Sequence, residues 1–148
     1  MLRLGSTYLI VKDFEKSLSF YSDLLDMKPT GQNEDRWAQF DFYGSCIALW
    51  NPEYDFKLMD SPEDLSDVYS QNYIDYQKQT KINYGNNVVL NFYVADLEIE
   101  HQRVKSLQIG EVTEIMYINV AMPYYLFILI DPDGNQIEVT GNVGLNLD

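Results

Sequence analysis

Two parts of the chain show the same change of hydrophobic pattern. In each, an alternating apolar stretch ends at the motif Val-x-Asp-(Phe/Leu)-Glu, which occupies residues 11–15 and 94–98. Helical spacing of apolar residues follows directly. Aspartate is a preferred helix N-cap because its carboxylate accepts from free backbone N–H groups, and the helix dipole favours a glutamate in the first turn. The pattern therefore predicts a strand followed by a helix in both places.

The two predicted helices differ in their apolar stripe. The first has an amphipathic spacing of apolar residues, formed by Phe14, Leu18, Tyr21 and Leu25. The second has Leu97 and Val104 at matching places, but His101 replaces the apolar residue between them. We expect the His101 side chain to be packed or half-exposed on its helix.

A second repeat predicts a hairpin in each half of the chain. Residues 40–50 (FDFYGSCIALW) match residues 130–140 (IDPDGNQIEVT), with Gly44 opposite Gly134. Each stretch reads as a strand, a tight turn containing glycine, and another strand. The repeats predict two modules, 4–50 and 88–140, each made of a strand, a helix and about three further strands.

The connecting segment 51–87 is rich in tyrosine and has no repeat partner. It contains Ser61-Pro62-Glu63, where serine as N-cap and proline at the first helical position predict a short helix. Connections of this length are often lids or partner contacts. Two interpretations stay open: a segment with such a role, or a surface excursion whose tyrosines pack on the sheet.

Composition and charge narrow the function classes. The chain has 148 residues, 46% of them apolar, which suits a single domain over 1–148. A net charge of −13 argues against nucleic acid and anionic membranes as partners, whereas an acidic cleft concentrates cations. Cys46 is the only cysteine, and the first residues lack the apolar run of a signal peptide. We therefore expect a cytoplasmic protein without a disulfide bond.

The doubled strand–helix–three-strand pattern and the motif D-P-D-G-N-x-I-E at 131–138 resemble the vicinal oxygen chelate superfamily. This superfamily includes glyoxalase I, the bleomycin-resistance proteins, the fosfomycin-resistance enzymes and the extradiol dioxygenases. The resemblance covers the chain apart from 51–87 and the last few residues. It implies an α+β fold in which two βαβββ modules form a curved mixed sheet around a cavity, with the helices on the outer face. It also implies a homodimer.

The metal site of this superfamily transfers poorly to this chain. The resemblance places one ligand near the start of the first strand and one on the last strand of each module. These four positions are Ser6, Ala48, Val89 and Glu138. Alanine and valine have no donor atom, and one carboxylate does not hold a divalent cation against water. We expect no metal and no other cofactor, which leaves Glu138 as the only catalytic candidate.

Strand alternation indicates which side chains would line the cavity that the resemblance implies. Leu9, Val11, Leu90 and Phe92 fall on the faces that would pack against the helices. The opposite faces mix aromatic rings, amides and one acid, as small-molecule pockets do. The predicted ligand-binding residues are Tyr8, Trp37, Cys46, Trp50, Asn91, Tyr93, Gln136 and Glu138.

Three functions stay open. The preferred one is a metal-independent small-molecule-binding protein, similar in kind to the bleomycin-resistance proteins, which sequesters a cationic or aromatic compound. Its aromatic rings would stack on the ligand, and Glu138 would pair with the cation. The second is a glyoxalase-type lyase or isomerase, similar to lactoylglutathione lyase, which the resemblance alone implies. The third is a non-catalytic protein-interaction module that uses segment 51–87.

Overall fold

Two four-stranded mixed sheets form the framework of the computed structural model, which describes residues 1–144. Residues 145–148 of the predicted domain lie outside the described part. The first module contains β1 (Thr7–Ile10), α1 (Phe14–Leu25), β2 (Gly31–Asn33), β3 (Trp37–Phe42) and β4 (Ser45–Trp50). The second contains β5 (Val89–Asp96), α4 (Leu97–Leu107), β6 (Met116–Asn119), β7 (Pro123–Ile130) and β8 (Gln136–Asn142). The predicted α+β fold of two βαβββ modules is confirmed.

Both sheets have the same strand order. The first sheet runs β1-β4-β3-β2 and the second runs β5-β8-β7-β6. The first strand of each module pairs in parallel with the last strand, and the remaining pairs are antiparallel. A helix follows the first strand because a parallel pair needs a long crossover connection.

The predicted equivalence of residues 40–50 and 130–140 is also confirmed. Residues 43–44 separate β3 from β4, and residues 131–135 separate β7 from β8. Gly44 and Gly134 have backbone φ angles of 78° and 87°. Glycine adopts this left-handed region without the steric cost that other residues incur, so both turns need their glycine.

Burial alternates along the first strand of each module, as the sequence predicts. In the first module Leu9 and Val11 are buried, whereas Tyr8 is exposed. In β5 every second residue is exposed, beginning with Val89. The side chains of a strand point alternately to the two faces of the sheet, so one face of each first strand is more buried than the other.

Helix α4 covers one face of the second sheet, where it packs on β5, β7 and β8. Its fully buried side chains are Leu97 and Val104. The buried His101 ring lies 5.0 Å from the Phe127 ring between centroids, and its Nε2 donates to the Thr113 carbonyl oxygen at 2.8 Å. His101 is therefore packed in the helix–sheet interface, as predicted.

Segment 51–87 contains two helices, α2 (Pro52–Met59) and α3 (Gln71–Gln79). Neither begins at Ser61-Pro62-Glu63, so the short helix predicted there is wrong. The same capping signature occurs ten residues earlier, where the Asn51 side chain accepts from the Glu53 N–H and proline takes the first helical position. Ser61 and Pro62 instead follow the end of α2, where proline prevents a helix from continuing.

The chain divides into two compact units that do not follow the repeat. One contains residues 1–15 and 28–84, and the other contains residues 16–27 and the chain from 85 onward. Most of α1 therefore packs with the second module, although it belongs to the first by sequence. Within residues 1–144, no helix combines the length and the apolar character that crossing a membrane requires.

Candidate functional site

Glu138 lies on the face of the second sheet opposite the one that α4 covers. Its neighbours along β8, Ile137 and Val139, are buried on the helix side. Because successive side chains of a strand point to opposite faces, the Glu138 side chain points away from the helix. Strand pairing places Asn91 beside it on β5 and Ile128 beside it on β7. We call this surface the Glu138 face; its members are Asn91, Tyr93, Ile128, Gln136, Glu138 and Thr140.

A direct hydrogen bond orients the Glu138 carboxylate. Asn91 Nδ2 donates to Glu138 Oε1 at 2.8 Å. An ionised carboxylate accepts at both oxygens and about four lone-pair sites, so this single amide contact leaves room for a ligand. Tyr93 lies two residues from Asn91 on the same face and is 70% exposed. The face thus presents an oriented negative charge beside an accessible aromatic ring.

An aromatic pair marks one face of the first sheet. The rings of Tyr8 and Trp37 meet edge to face, with centroids 5.1 Å apart and planes at 63°. Trp50 lies opposite Trp37 in the β3–β4 register. We call this surface the Trp37 face; its members are Tyr8, Trp37, Gln39, Asp41, Cys46 and Trp50.

A chain of polar contacts holds the Trp37 face in place. Trp37 Nε1 donates to Gln39 Oε1 at 3.1 Å, and Gln39 Nε2 donates to Asp41 Oδ2 at 2.9 Å. The Thr30 hydroxyl donates to the same oxygen of Asp41 at 2.5 Å. The hydrogen bonds that Asp41 accepts, first from Thr30 and then from Gln39, lower the pKa of its carboxyl group. The indole and amide groups on this face are therefore fixed before any ligand arrives.

Cys46 lies opposite Asp41 at the end of the Trp37 face. Partial burial, followed by the nearby Asp41 carboxylate, raises the pKa of the Cys46 thiol. A thiol with a raised pKa stays protonated near neutral pH, and the protonated form is neither a good nucleophile nor a good metal ligand. Cys46 therefore contributes contact area and a weak S–H donor to this face.

Asp55, a fully buried carboxylate in α2, was not predicted from the sequence. Its oxygens accept from Arg36 Nε at 2.7 Å, from Trp50 Nε1 at 2.8 Å and from the Tyr69 hydroxyl. The indole N–H of Trp50, a predicted ligand-binding residue, is thus already used inside the protein. No spacing rule reveals such a carboxylate, because its three donors lie 5, 14 and 19 residues away and follow no periodic pattern.

Asp131 is the first residue of the D-P-D-G-N-x-I-E motif, and its side chain stabilises the turn between β7 and β8. Its Oδ1 accepts from the backbone N–H groups of Asp133 and Asn135, at 2.9 and 2.8 Å. Its Oδ2 accepts from the Asn135 side chain at 2.8 Å and from the Tyr21 hydroxyl at 2.6 Å. The motif therefore builds the β7–β8 turn and ties it to α1, while its last residue, Glu138, lies on the exposed strand face.

The four positions that the family resemblance assigns to metal ligands are Ser6, Ala48, Val89 and Glu138, and Ser6 offers only a neutral hydroxyl. Ala48 is fully buried between its strand neighbours and has no donor atom. Val89 presents only an exposed isopropyl group, and Glu138 already accepts from Asn91. No group of three or more His, Cys, Asp or Glu side chains suited to a metal ion occurs within residues 1–144. The residues present at the four positions do not fit a divalent metal.

The structure brings the eight predicted ligand-binding residues together in two groups. Tyr8 contacts Trp37 directly, and Cys46 and Trp50 share their face through β4. Asn91 binds Glu138, while Gln136 precedes it by two residues on β8 and Tyr93 lies further along β5. Each group lies within one compact unit, the first in the unit that begins the chain and the second in the other.

Solved structures of similar fold come from several bacteria. A lactoylglutathione lyase from Agrobacterium tumefaciens matches with a TM-score of 0.63 at 17% identity, covering 95% of this chain and 93% of that one. A glyoxalase/bleomycin resistance protein from Catenulispora acidiphila matches with a TM-score of 0.57 at 17% identity, covering 96% and 99%. An integron cassette protein from V. cholerae matches with a TM-score of 0.62 at 22% identity, covering 95% of each. At these identities the likeness concerns the fold.

Among curated proteins, none matches the chain at a significant level. A family model, by contrast, matches residues 3–139. That span contains both strand–helix motifs and the motif that ends at Glu138, and it stops within β8. The chain belongs to the Glyoxalase/Bleomycin resistance protein/Dioxygenase superfamily.

Proposed function

We propose that this protein is a metal-independent small-molecule-binding protein that holds a cationic or aromatic compound without converting it. The observation that carries the proposal is the Asn91–Glu138 hydrogen bond, 2.8 Å long, on a face with an exposed aromatic ring. An oriented carboxylate attracts a cationic group, and a neighbouring aromatic face adds a cation–π contact. Glu138 supplies the charge and Tyr93 supplies the ring.

The donor set supports binding without a metal. The superfamily's metal positions correspond here to two alkyl side chains, one hydroxyl and one carboxylate. A glyoxalase-type lyase or isomerase would need a metal to polarise its substrate, and these residues offer no ligand set for one. The remaining carboxylate can attract a cation electrostatically, which requires no coordination sphere.

The charge of the chain favours the same class of ligand. With 23 acidic and 10 basic residues, the protein surrounds itself with a negative potential that raises the local concentration of cations. Compounds with an aromatic body and a positive group match this potential and the Glu138 face. The polar side of such a ligand pairs with Glu138, and its flat side stacks on an aromatic ring.

The Trp37 face, within the other compact unit, is a separate candidate surface for an aromatic ligand. The Tyr8 and Trp37 rings form an edge-to-face pair whose orientation is fixed by the Trp37–Gln39 hydrogen bond. Rings held in this way lose little conformational entropy when a flat ligand stacks on them. We propose Tyr8, Trp37, Cys46 and Trp50 as ligand contacts on this face and Asn91, Tyr93, Gln136 and Glu138 on the other.

A thermal-shift screen with flat aromatic cations, cationic glycopeptides and neutral aromatic analogues tests the proposal. We expect a cationic compound to raise the melting temperature, and Glu138→Gln to weaken its binding at least tenfold. Glu111→Gln is the matched control, because it removes the same charge at an exposed position in the same unit. If no compound shifts the melting temperature, or if both variants bind equally well, the proposal is wrong.

Metal analysis separates this proposal from the lyase alternative. The protein is purified without chelators and without added metal, and its Ni, Zn and Fe contents are measured. We expect far less than one metal ion per chain and unchanged ligand binding in EDTA. Stoichiometric metal together with binding that EDTA abolishes would overturn metal independence and favour the lyase or isomerase.

A further inference from the structure

A cavity of about 410 Å³ lies within the connecting segment 51–87. Its walls are the end of α2, parts of the connection 63–70 and one side of α3. Ligand cavities in proteins measure about 300 to 1,000 Å³, so this cavity is large enough for a small molecule. It shares no lining residue with the Glu138 face or the Trp37 face, so it is separate from the surfaces proposed above.

One face of helix α3 forms a wall of this cavity. Gln71, Ile74 and Lys78 line it, and their spacings of three and four residues place them on the same face of the helix. The helix begins at a capped position, since the Ser70 side chain accepts from the Tyr73 N–H at 3.3 Å. This wall is therefore a regular element with a defined start.

The inner part of the cavity is apolar. Met59 and Leu65 are buried and Ile74 is half-buried; we call these three side chains the apolar wall. Beside them the Tyr69 hydroxyl donates to the buried Asp55 carboxylate, which fixes the position of the Tyr69 ring. Small-molecule sites combine mostly apolar walls with a few placed polar groups, so the polar groups of this cavity decide what it can recognise.

Most of these polar groups already have partners inside the protein. Asp64 Oδ1 accepts from the Ser66 N–H at 3.0 Å, and Gln71 Nε2 donates to Asp75 Oδ1 at 2.8 Å. The Ser70 hydroxyl oxygen caps α3. These contacts shape the connection and the helix, which leaves two charged side chains for recognition.

The two remaining charges are Glu63 and Lys78. Both side chains are exposed, and neither forms a hydrogen bond or an ion pair with another residue in the part of the chain that the structure describes, 1–144. One is an anion and the other a cation, so a ligand that satisfies both must itself carry both charges. An acidic chain with only 10 basic residues has few places where an anionic group can bind beside an apolar surface.

We infer that this cavity binds a short peptide with free termini and apolar side chains, of about dipeptide size. The peptide ammonium group pairs with Glu63, its carboxylate pairs with Lys78, and its side chains pack on the apolar wall. The two termini of a dipeptide lie up to about 7 Å apart, which suits charges that come from two different elements. The inference goes beyond the proposed cationic or aromatic ligand and does not depend on it.

Isothermal titration calorimetry with leucyl-leucine, at up to about 10 mM so that a millimolar dissociation constant is measurable, tests this site. Three related peptides each lack one feature: N-acetyl-leucyl-leucine has no ammonium group, leucyl-leucinamide has no carboxylate and glycylglycine has no apolar side chain. We expect each of them to bind at least about tenfold more weakly, because each loses one charge-assisted hydrogen bond or the apolar contact.

Glu63→Gln and Lys78→Gln should each weaken leucyl-leucine binding at least about tenfold. Glu63→Gln should leave the weak binding of N-acetyl-leucyl-leucine unchanged, since that peptide lacks the group with which Glu63 pairs. Asp67→Asn and Lys81→Gln are the matched controls, because they remove the same charges at exposed positions of the segment outside the cavity. They should bind leucyl-leucine within about twofold of the original, and circular dichroism verifies that all four variants fold.

Three results would overturn the inference. The first is the absence of binding by leucyl-leucine. The second is binding that Glu63→Gln or Lys78→Gln leaves unchanged, or that the two control variants weaken equally. The third is binding that Glu138→Gln abolishes, which would assign the peptide to the Glu138 face. Retention of peptide binding in Glu138→Gln is the expected result, and it keeps this site distinguishable from the proposed function.

Discussion

The Tyr21 hydroxyl donates to Asp131 Oδ2 at 2.6 Å, and both side chains are buried. Tyr21 belongs to helix α1 and Asp131 to the turn between β7 and β8. Burial, followed by the nearby Asp131 carboxylate, raises the pKa of Tyr21, so the hydroxyl remains a donor throughout the ordinary pH range. This bond attaches a helix of the first module to the sheet of the second.

Tyr21→Phe should therefore lower the free energy of unfolding by about 1.5 to 3 kcal/mol, since it removes one donor from a buried carboxylate. Urea denaturation measures the loss. Tyr43→Phe is the control, because Tyr43 is fully exposed in the β3–β4 turn and its change should stay within about 0.5 kcal/mol. Equal, small effects in both variants would contradict a stabilising role for the bond.

Asp55→Ala should be among the most destabilising substitutions in the first unit. The change leaves Arg36, Trp50 and Tyr69 without their shared acceptor. Losing one partner of a buried ion pair costs about 3 to 5 kcal/mol, and the partial exposure of Arg36 places the expected loss near the lower end. Asp67→Ala, at an exposed position of the same segment, should cost less than about 0.5 kcal/mol.

The same substitution tests whether segment 51–87 is folded by this anchor. Limited proteolysis of Asp55→Ala should cleave within 51–87 before the rest of the chain, because the contact that holds α2 is lost. In the original protein the segment should resist cleavage without any partner present. Cleavage of the original protein in this segment, followed by protection on adding a partner, would instead favour the protein-interaction module.

Stability should decrease in alkaline solution through Tyr69. Burial, followed by its hydrogen bond to Asp55, raises the pKa of Tyr69 from 10.0 to about 12. The folded state therefore keeps a proton that the unfolded chain loses, so this stabilisation is complete below pH 10 and is lost as the pH rises towards 12. Urea titrations on either side of pH 10 should show a steep loss that is smaller in Tyr69→Phe; equal slopes would contradict this.

Gly85→Ala should be far more damaging than Gly5→Ala. Gly85 has a φ of 70°, and a Cβ there would lie 1.9 Å from the Asp133 carbonyl oxygen. Both the left-handed conformation and the backbone clash oppose any side chain, so we expect a loss of at least about 2 kcal/mol. Nothing lies within 4 Å of a Cβ built on Gly5, so that variant should unfold like the original in the same thermal scan.

The repeated motifs contained enough information to predict the fold. Capping aspartates and turn glycines act through contacts a few residues apart, which a single sequence displays directly. The Asp96 side chain accepts from the Ile99 N–H as a helix cap, and Gly44 and Gly134 adopt the positive φ that their turns require. Local signals of this kind indicate strands and helices, and their repetition indicates two modules.

The helix predicted at Ser61 shows where local signals fail. Serine followed by proline is as compatible with the exit from a helix as with the entry into one, and the choice depends on what precedes it. Here Asn51 begins a helix that has already ended at Met59. Buried Asp55 holds α2 in position, and the helix ends at Met59. Ser61 therefore lies directly after the end of a helix and does not begin another.

The sequence by itself determined the two βαβββ modules and the absence of donor atoms at two of the four family positions, Ala48 and Val89. It also determined the alternation that separates Glu138 from its buried neighbours. These properties depend on residue type and on short spacings. Only the tertiary structure showed that Asp131 accepts a hydrogen bond from Tyr21 and that Asp55 accepts one from Trp50. It also showed that most of α1 packs with the second module. The Tyr21–Asp131 contact joins residues 110 apart in sequence. Trp50 and Asp55 are only five apart, but the pairing of one carboxylate with one donor leaves no periodic signal along the chain.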